Sequence, residues 1–276
     1  MSLPLLPVLV DSHCHLDFQN FDPDRMAVVN SARQAGVMAI VNPAVDVDSS
    51  RSVVALAQSV PEIFAAVGMH PNEAANWNET TLPIFEELAL RAKVVAIGEI
   101  GLDYYRDRTP RLTQIKIIEQ QLSLAASTGL PVILHNREAS QDLLAILTAW
   151  TKNLSEQGHP LAARPGVLHS FSGDEATAQQ AFAMNFYIGI TGPVTYRNAA
   201  DLQNLVSKTP LERMLIETDA PFLTPQPRRG KRNEPAYVRF VAEKIAELHQ
   251  RPYDEVAQIT TANARLLFQI GEKTLA

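Results

Sequence analysis

Residues 11 to 15 read Asp-Ser-His-Cys-His, and two imidazoles spaced two apart could grip a cation. The apolar run Leu5-Leu6-Pro7-Val8-Leu9-Val10 leads into them and reads as a short buried strand. Alternate side chains of a strand share a face, so His13 and His15 point together and Cys14 points the other way. Two surface histidines at a strand end would look the same locally, and the rest of the chain decides. Of seven histidines, five (His13, His15, His70, His135 and His169) follow short apolar runs; His159 lies in the loop SEQGHPLAARPG, and His249 ends a helical stretch. Carboxylates repeat the pattern, with Glu99 and Asp103 in AIGEIGLDYY and Glu217 and Asp219 in LIETDAPFLTP.

Neutral imidazole with carboxylate suits Zn, Mn, Co or Ni, whereas Mg favours more oxygen. Four histidines and two carboxylates exceed the needs of one tetrahedral ion and suit two ions sharing a bridging carboxylate. Such ions, about 3.5–4 Å apart, would hold a water between them and lower its pKa, giving a hydroxide nucleophile near neutral pH. A remaining carboxylate could take the proton and return it to the leaving group.

These residues need a scaffold that gathers strand ends. Apolar runs at Val8–Val10, Met38–Val41, Ile63–Val67, Val94–Ile97, Val132–Leu134, Val167–Leu168, Phe186–Ile190 and Met214–Ile216 alternate with stretches of helical period such as TQIKIIEQQLSLAASTG. Several are rich in Val and Ile, as fully buried parallel strands are. Gly36 and Gly129 stand where helix C-caps belong, and the chain from Pro235 onward reads as purely helical. Eight strand–helix repeats in 276 residues predict a (β/α)8 TIM barrel over residues 1–276, whose chemistry lies at the C-terminal strand ends. A doubly wound sheet would want a glycine-rich phosphate loop, and neither G-x-G-x-x-G nor a Walker motif occurs. One cysteine excludes an intramolecular disulfide and fits a reducing cytoplasm. The first ten residues carry no Lys or Arg and are broken by Pro4 and Pro7, unlike a signal peptide or a membrane span. A net charge of −6 argues against whole-surface affinity for nucleic acid but leaves room for a local basic patch. No feature suggests a protein partner, and a monomer is expected.

The ordered motifs DSHCHLD, GMHP, IGEIGLDYY, LHNREA, LHSFSG, ETDAPFLTP, RRGKRNEPAYV and TANARLLF cover essentially the whole chain. Together they resemble the TatD family of metal-dependent deoxyribonucleases, within the amidohydrolase superfamily. The resemblance implies a distorted (β/α)8 barrel with two divalent ions per chain (Zn, Mn, Mg, Co or Ni). It further implies that His13, His15 and Asp219 hold one ion, that His135 and His169 hold the other, and that Glu99 bridges them. Glu99 and Asp219 are then the catalytic carboxylates.

Other candidates keep two readings. Cys14 packs beneath a helix rather than ligating. Asp11 either orients a ligand or serves structure. His70 either meets a substrate phosphate, supports the ligands, or is a satisfied structural histidine. Asp103 anchors a loop or accepts from a ligand. Glu217, two residues before Asp219, faces the site or pairs with a base such as Arg213. Arg137 either clamps a phosphate or forms a salt bridge at the rim. Arg228, Arg229, Lys231 and Arg232 are either a solvated run or phosphate contacts on the active-site rim, and Tyr104, Tyr105 and Phe171 either stack on bases or pack. The leading expectation is an exonuclease-like phosphodiesterase acting on DNA. The alternative is hydrolysis of a small ester, amide or lactone, since a two-metal site serves phosphoryl and carbonyl centres alike. A non-catalytic scaffold is disfavoured because the proton-shuttling Asp219 is intact.

Overall fold

The computed structural model describes residues 8–106 and 108–271, so Leu5–Pro7 of the expected first strand lie outside the described residues. The described strands are β1 (Leu9–Asp11), β2 (Val37–Pro43), β3 (Ile63–Val67), β4 (Val94–Asp103), β5 (Val132–Arg137), β6 (Gly166–Leu168), β7 (Tyr187–Ile190) and β8 (Met214–Ile216). Between and after them run α1 (Arg25–Gln34), α2 (Val47–Ser59), α3 (Thr81–Ala89), α4 (Arg111–Thr128), α5 (Ser140–Glu156), α6 (Glu175–Ala183), α7 (Ala200–Lys208), α8 (Val238–His249) and α9 (Tyr253–Phe268). The strands form one parallel sheet in sequence order, β1 to β8. This is the predicted (β/α)8 barrel, and the expected apolar runs fall on its strands.

The strands are buried on both faces, which is why they read as unbroken apolar runs rather than alternating ones. One set of side chains, including Leu9, Ile40, Ile63 and Ile97, packs against the surrounding helices. The alternate set, including Val10, Val41, Phe64, Ile133 and Leu215, turns inward and meets Leu267, Phe268 and Ile270 at the end of α9. Thr261 on α9 donates to the Val8 carbonyl at the start of β1, and Arg164 just before β6 donates to the Leu267 carbonyl. So α9 covers the N-terminal end of the barrel, and the opposite end stays accessible.

Two departures from regularity matter for the site. First, no ladder joins β8 to β1 among the described residues. The seam closes instead through Ser12 N–H to the Ile216 carbonyl (3.1 Å), Asp219 N–H to the His13 carbonyl (2.8 Å), His15 N–H to the Ala220 carbonyl (2.8 Å) and a parallel bridge between Cys14 and Ala220. Second, β4 runs on past the expected Ile97 to Asp103, with a register shift against β5 between Ile97 and Ile100. A bulge there re-aims the Glu99 side chain. Gly101, at φ 145°, sits so close to β5 that a Cβ would strike the His135 carbonyl, so only glycine lets the two strands meet.

Candidate metal centre

Four of the six predicted ligands surround a fifth, Glu99. Glu99 is 3% exposed and lies centrally, and its two oxygens face different imidazole sets. Oε2 stands 3.5 Å from His13 Nε2 and 3.6 Å from His15 Nε2. Oε1 stands 2.9 Å from His169 Nε2, 3.0 Å from His135 Nδ1 and 3.6 Å from His70 Nε2.

The first set forms on the seam. His13 Nε2 and His15 Nε2 approach to 3.1 Å, and Asp219 Oδ1 lies 3.8 and 3.6 Å from them. His15 Nδ1 lies 3.2 Å from the Pro43 carbonyl; donating there leaves the Nε2 lone pair facing inward. Asp219 is held at φ 53°, in the left-handed region, by its N–H bond to the His13 carbonyl. Asp11, fully buried, accepts from the Thr218 N–H (2.9 Å) and hydroxyl (2.6 Å) and so ties β1 to the residue preceding Asp219.

The second set forms on the regular ladder. Gly101 pairs with His135, and the His169 N–H donates to the Leu134 carbonyl. Asp103 Oδ2 lies 3.2 Å from His135 Nε2, while its Oδ1 accepts from the N–H groups of Tyr105 and Arg106. Because the far nitrogen donates to Asp103, His135 presents Nδ1 to the centre. Glu217, buried, accepts from Ser170 N–H and Ser12 Oγ and stands 3.7 Å from His169 Nδ1. Its carboxylate occupies the space that a Cβ on Gly189 would fill.

The donor set fits divalent cations. A tetrahedral ion with bonds near 2.1 Å spaces its ligand atoms about 3.4 Å apart, and the separations above bracket that value. Three overlapping triads meet the spacing: His13–His15–Asp219, His13–Glu99–His169 and His70–Glu99–His135. The third draws in His70, but its Nδ1 accepts from Asn72 N–H (3.1 Å), and burial pushes the ring down to about 3. A neutral ring so bonded carries its proton on Nε2, so it offers the centre a donor, not a lone pair.

Burial alone would raise the Glu99 carboxyl; the charge of His169 and hydrogen bonds from His13 and His135 reverse this and hold it well below the usual range. Burial pushes Asp219 up despite His13, His169 and His15. Two carboxylates of one site are thus driven apart, the central one ionised and the seam one more ready to take a proton. Burial also disfavours charge on His169, yet Glu99 and Glu217 overcome it and raise that ring well above its ordinary value.

The structure gives each remaining candidate its neighbours. Arg232 is not free for phosphate: its guanidinium pairs with both oxygens of Asp24 (2.9 and 2.8 Å) and with Glu234 (3.0 Å), fastening the loop to α1. Phe171 is buried packing, and Tyr104 donates its hydroxyl to Asp142. Glu217 faces His169 and not Arg213, which lies against Asn185 instead. Arg137 lies over the ring of exposed Tyr105 (3.8 Å), and Arg229 over Tyr196 (4.2 Å). Lys231 is exposed on the same loop. Cys14 is fully buried, and burial drives its thiol up, away from a thiolate ligand. Sequence reasoning missed Phe18 and Phe222. Phe18 stacks on His15 (4.6 Å), and Phe222 lies edge-on to it (6.2 Å). The motifs DSHCHLDF and ETDAPF contain both rings, but nothing local shows that they meet.

A barrel with imidazoles and carboxylates converging at its C-terminal strand ends defines a metal-dependent hydrolase class. The profile of the family "TatD related DNase" matches residues 10–269, and the chain belongs to that family. It is 41% identical over 264 residues to the metal-dependent hydrolase YabD of Bacillus subtilis, covering 96% of this chain and 100% of that one. It is 36% identical over 270 residues to the 3′-5′ ssDNA/RNA exonuclease TatD of Edwardsiella piscicida, covering 95% and 100%. The crystal structure of Escherichia coli YjjV superposes with a TM-score of 0.88 at 33% identity, covering 97% and 100%. No helix among the described residues is long and apolar enough to cross a membrane.

Proposed function

We propose that the chain is a phosphodiesterase that digests single-stranded nucleic acid from an end, using two divalent ions. His13, His15 and Asp219 would hold one ion, His135 and His169 the other, with one oxygen of Glu99 to each. Bound there, the ions supply Lewis-acid charge and acidify water. Asp219 then accepts the proton released on attack and returns it to the leaving oxygen. His70 donates its Nε2–H to a phosphate oxygen, and Arg137, Arg229 and Lys231 give the strand positive charge to follow.

The observation carrying this reading is the division of Glu99, one oxygen to the seam histidines and one to the ladder histidines. A nucleic-acid substrate draws support from the exonuclease relatives and the basic rim. The test strips the protein with a chelator, restores Mn, Zn, Mg, Co or Ni singly, and assays single-stranded DNA and RNA beside uncharged esters, amides and lactones. Metal-dependent shortening of single strands is expected. Rapid turnover of small esters, amides or lactones with intact nucleic acid would overturn the proposal in favour of the small-substrate alternative.

A further inference from the structure

The two aromatic rings next to the seam ligands have no role in holding metal. Phe18 follows His15 by three residues and lies flat on its imidazole, 4.6 Å between centroids and 16° between planes. Phe222 follows Asp219 by three and stands edge-on to Phe18 at 6.2 Å and 74°. Phe222 is 53% exposed. A single exposed phenylalanine needs no explanation. This one, however, belongs to a contiguous run of rings that starts on a metal-site histidine.

The exposure is also fixed in place. Phe222 N–H donates to the Asp219 carbonyl, and the buried Asn233 side chain donates to both the Phe222 and Thr218 carbonyls. A ring held out in water by its own backbone forgoes the burial it would otherwise find, so the loop presents it. The surroundings select among occupants. On one side, Phe18 borders an open cleft of about 410 Å³ whose other walls carry Asp17, Asp46 and Asp48. Those carboxylates repel a phosphate but can accept from the amino edge of a base. On the other side, the chain continues from Phe222 into the loop bearing Arg229 and Lys231. Neutral, flat chemistry is favoured at the rings and anionic chemistry beyond them.

We propose that Phe18 and Phe222 form a stacking subsite for the nucleobase next to the scissile phosphate. This rests on the nucleic-acid reading above. Stacking on an aromatic ring tolerates any base, because every base offers a π-face. It would seat the nucleotide that adjoins the cut, while the metal-site residues hold the phosphate itself.

The experiment follows the first cleavage of single-stranded oligonucleotides by the metal-loaded full chain. One substrate is normal; the other is abasic at the two terminal nucleotides of each end. Wild type, Phe222→Ala, Phe222→Trp and Phe18→Leu are compared, with binding to a non-cleavable phosphorothioate analogue as a second readout. Loss of one stacked base corresponds to roughly 5- to 150-fold in kcat/KM. Phe222→Ala is expected to lose about that much on the normal strand, chiefly through KM, and far less on the abasic strand. Phe222→Trp is expected to restore the normal strand. Equal losses on both strands, or no loss on either, would overturn the stacking subsite while leaving the nuclease standing. Wild type that leaves both strands uncut would overturn the nucleic-acid reading, and this inference with it.

Discussion

The two halves of the candidate metal centre are built differently. The ladder half hangs His135 and His169 on β5 and the end of β6, where continuous strand pairing already sets the backbone. The seam half joins His13 and His15 to Asp219, about two hundred residues later, where no ladder joins the described residues and isolated backbone bonds and the Asp11–Thr218 contact substitute. The seam imidazoles are also the more deeply buried, His13 at 0% and His15 at 4%, against a half-buried His135. A ligand on a regular strand needs only one outer partner to fix its ring, as Asp103 does for His135. A ligand on the closing seam needs the seam itself to be fixed.

The largest expected effect removes what the halves share. Glu99→Ala should cost catalysis well beyond the roughly 100-fold typical of losing an outer partner, and metal analysis should find at most one ion per chain. Two tightly held ions in the variant would refute the bridging assignment. Next comes the seam. Asp11→Ala leaves the buried Thr218 N–H without an acceptor, at about 1–3 kcal/mol, and frees the backbone that carries Asp219 into the left-handed region. Unfolding midpoints should fall, and the seam ion should be lost before the ladder ion. Loss of both ions in parallel would erase the distinction between the halves. The third perturbs the ladder alone. Asp103→Ala removes the acceptor that orients His135, and should weaken ladder-ion affinity by roughly 10–100-fold while global stability changes less than in Asp11→Ala. Reversal of that order by calorimetry would show that the seam is not the more demanding region.

The strand ends were easier to read in the sequence than the contacts between them. Short apolar runs followed by His or Glu announce a strand end, and the fold then gathers those ends, so the barrel and the convergence of these side chains were legible. What was not legible depends on contacts between distant positions. Nothing within RRGKRNEP reveals that Arg232 has a carboxylate partner in Asp24, 208 residues away. Tyr104 and Phe171 follow the same motifs as Tyr105, yet only Tyr105 stands exposed, because their partners come from other elements. The extension of β4 past Ile97 was hidden because Gly98 and Gly101 interrupt the apolar run, although they serve a bulge and a close approach.

The basic loop allows a smaller test of the same kind. Arg232 holds Asp24 below the usual carboxyl range, first by its hydrogen bonds. A depressed folded value gives stability that is present above the unfolded value, near 3.9, and lost as pH falls through the folded one. Arg232→Ala should therefore destabilise the protein near neutrality and converge on wild type in acid. The pair Arg229→Ala and Lys231→Ala should leave stability unchanged, raise KM a few-fold on single strands, and flatten the salt dependence by about 0.7 per lost contact. An unchanged slope would take those two residues out of the substrate path.

The smallest effect on the metals is expected at Cys14, although it sits between two ligands. Cys14 is fully buried, bridges to Ala220 and points into the helix-packed core with Leu9 and Leu16. Burial raises the thiol, so it stays protonated and offers a cation little. Cys14→Ser keeps the backbone bridge and places a hydroxyl in an apolar setting, costing about 1–3 kcal/mol. Thr218 stands near enough to ease that cost. The variant should melt earlier than wild type yet keep both ions and full activity at temperatures where it is folded. His15→Ala, one residue away, should show the opposite pattern, losing the seam ion with less effect on the core. If Cys14→Ser instead lost metal as readily as His15→Ala, the seam would be so tightly coupled to its packing that burial on one face and ligation on the other could not be separated.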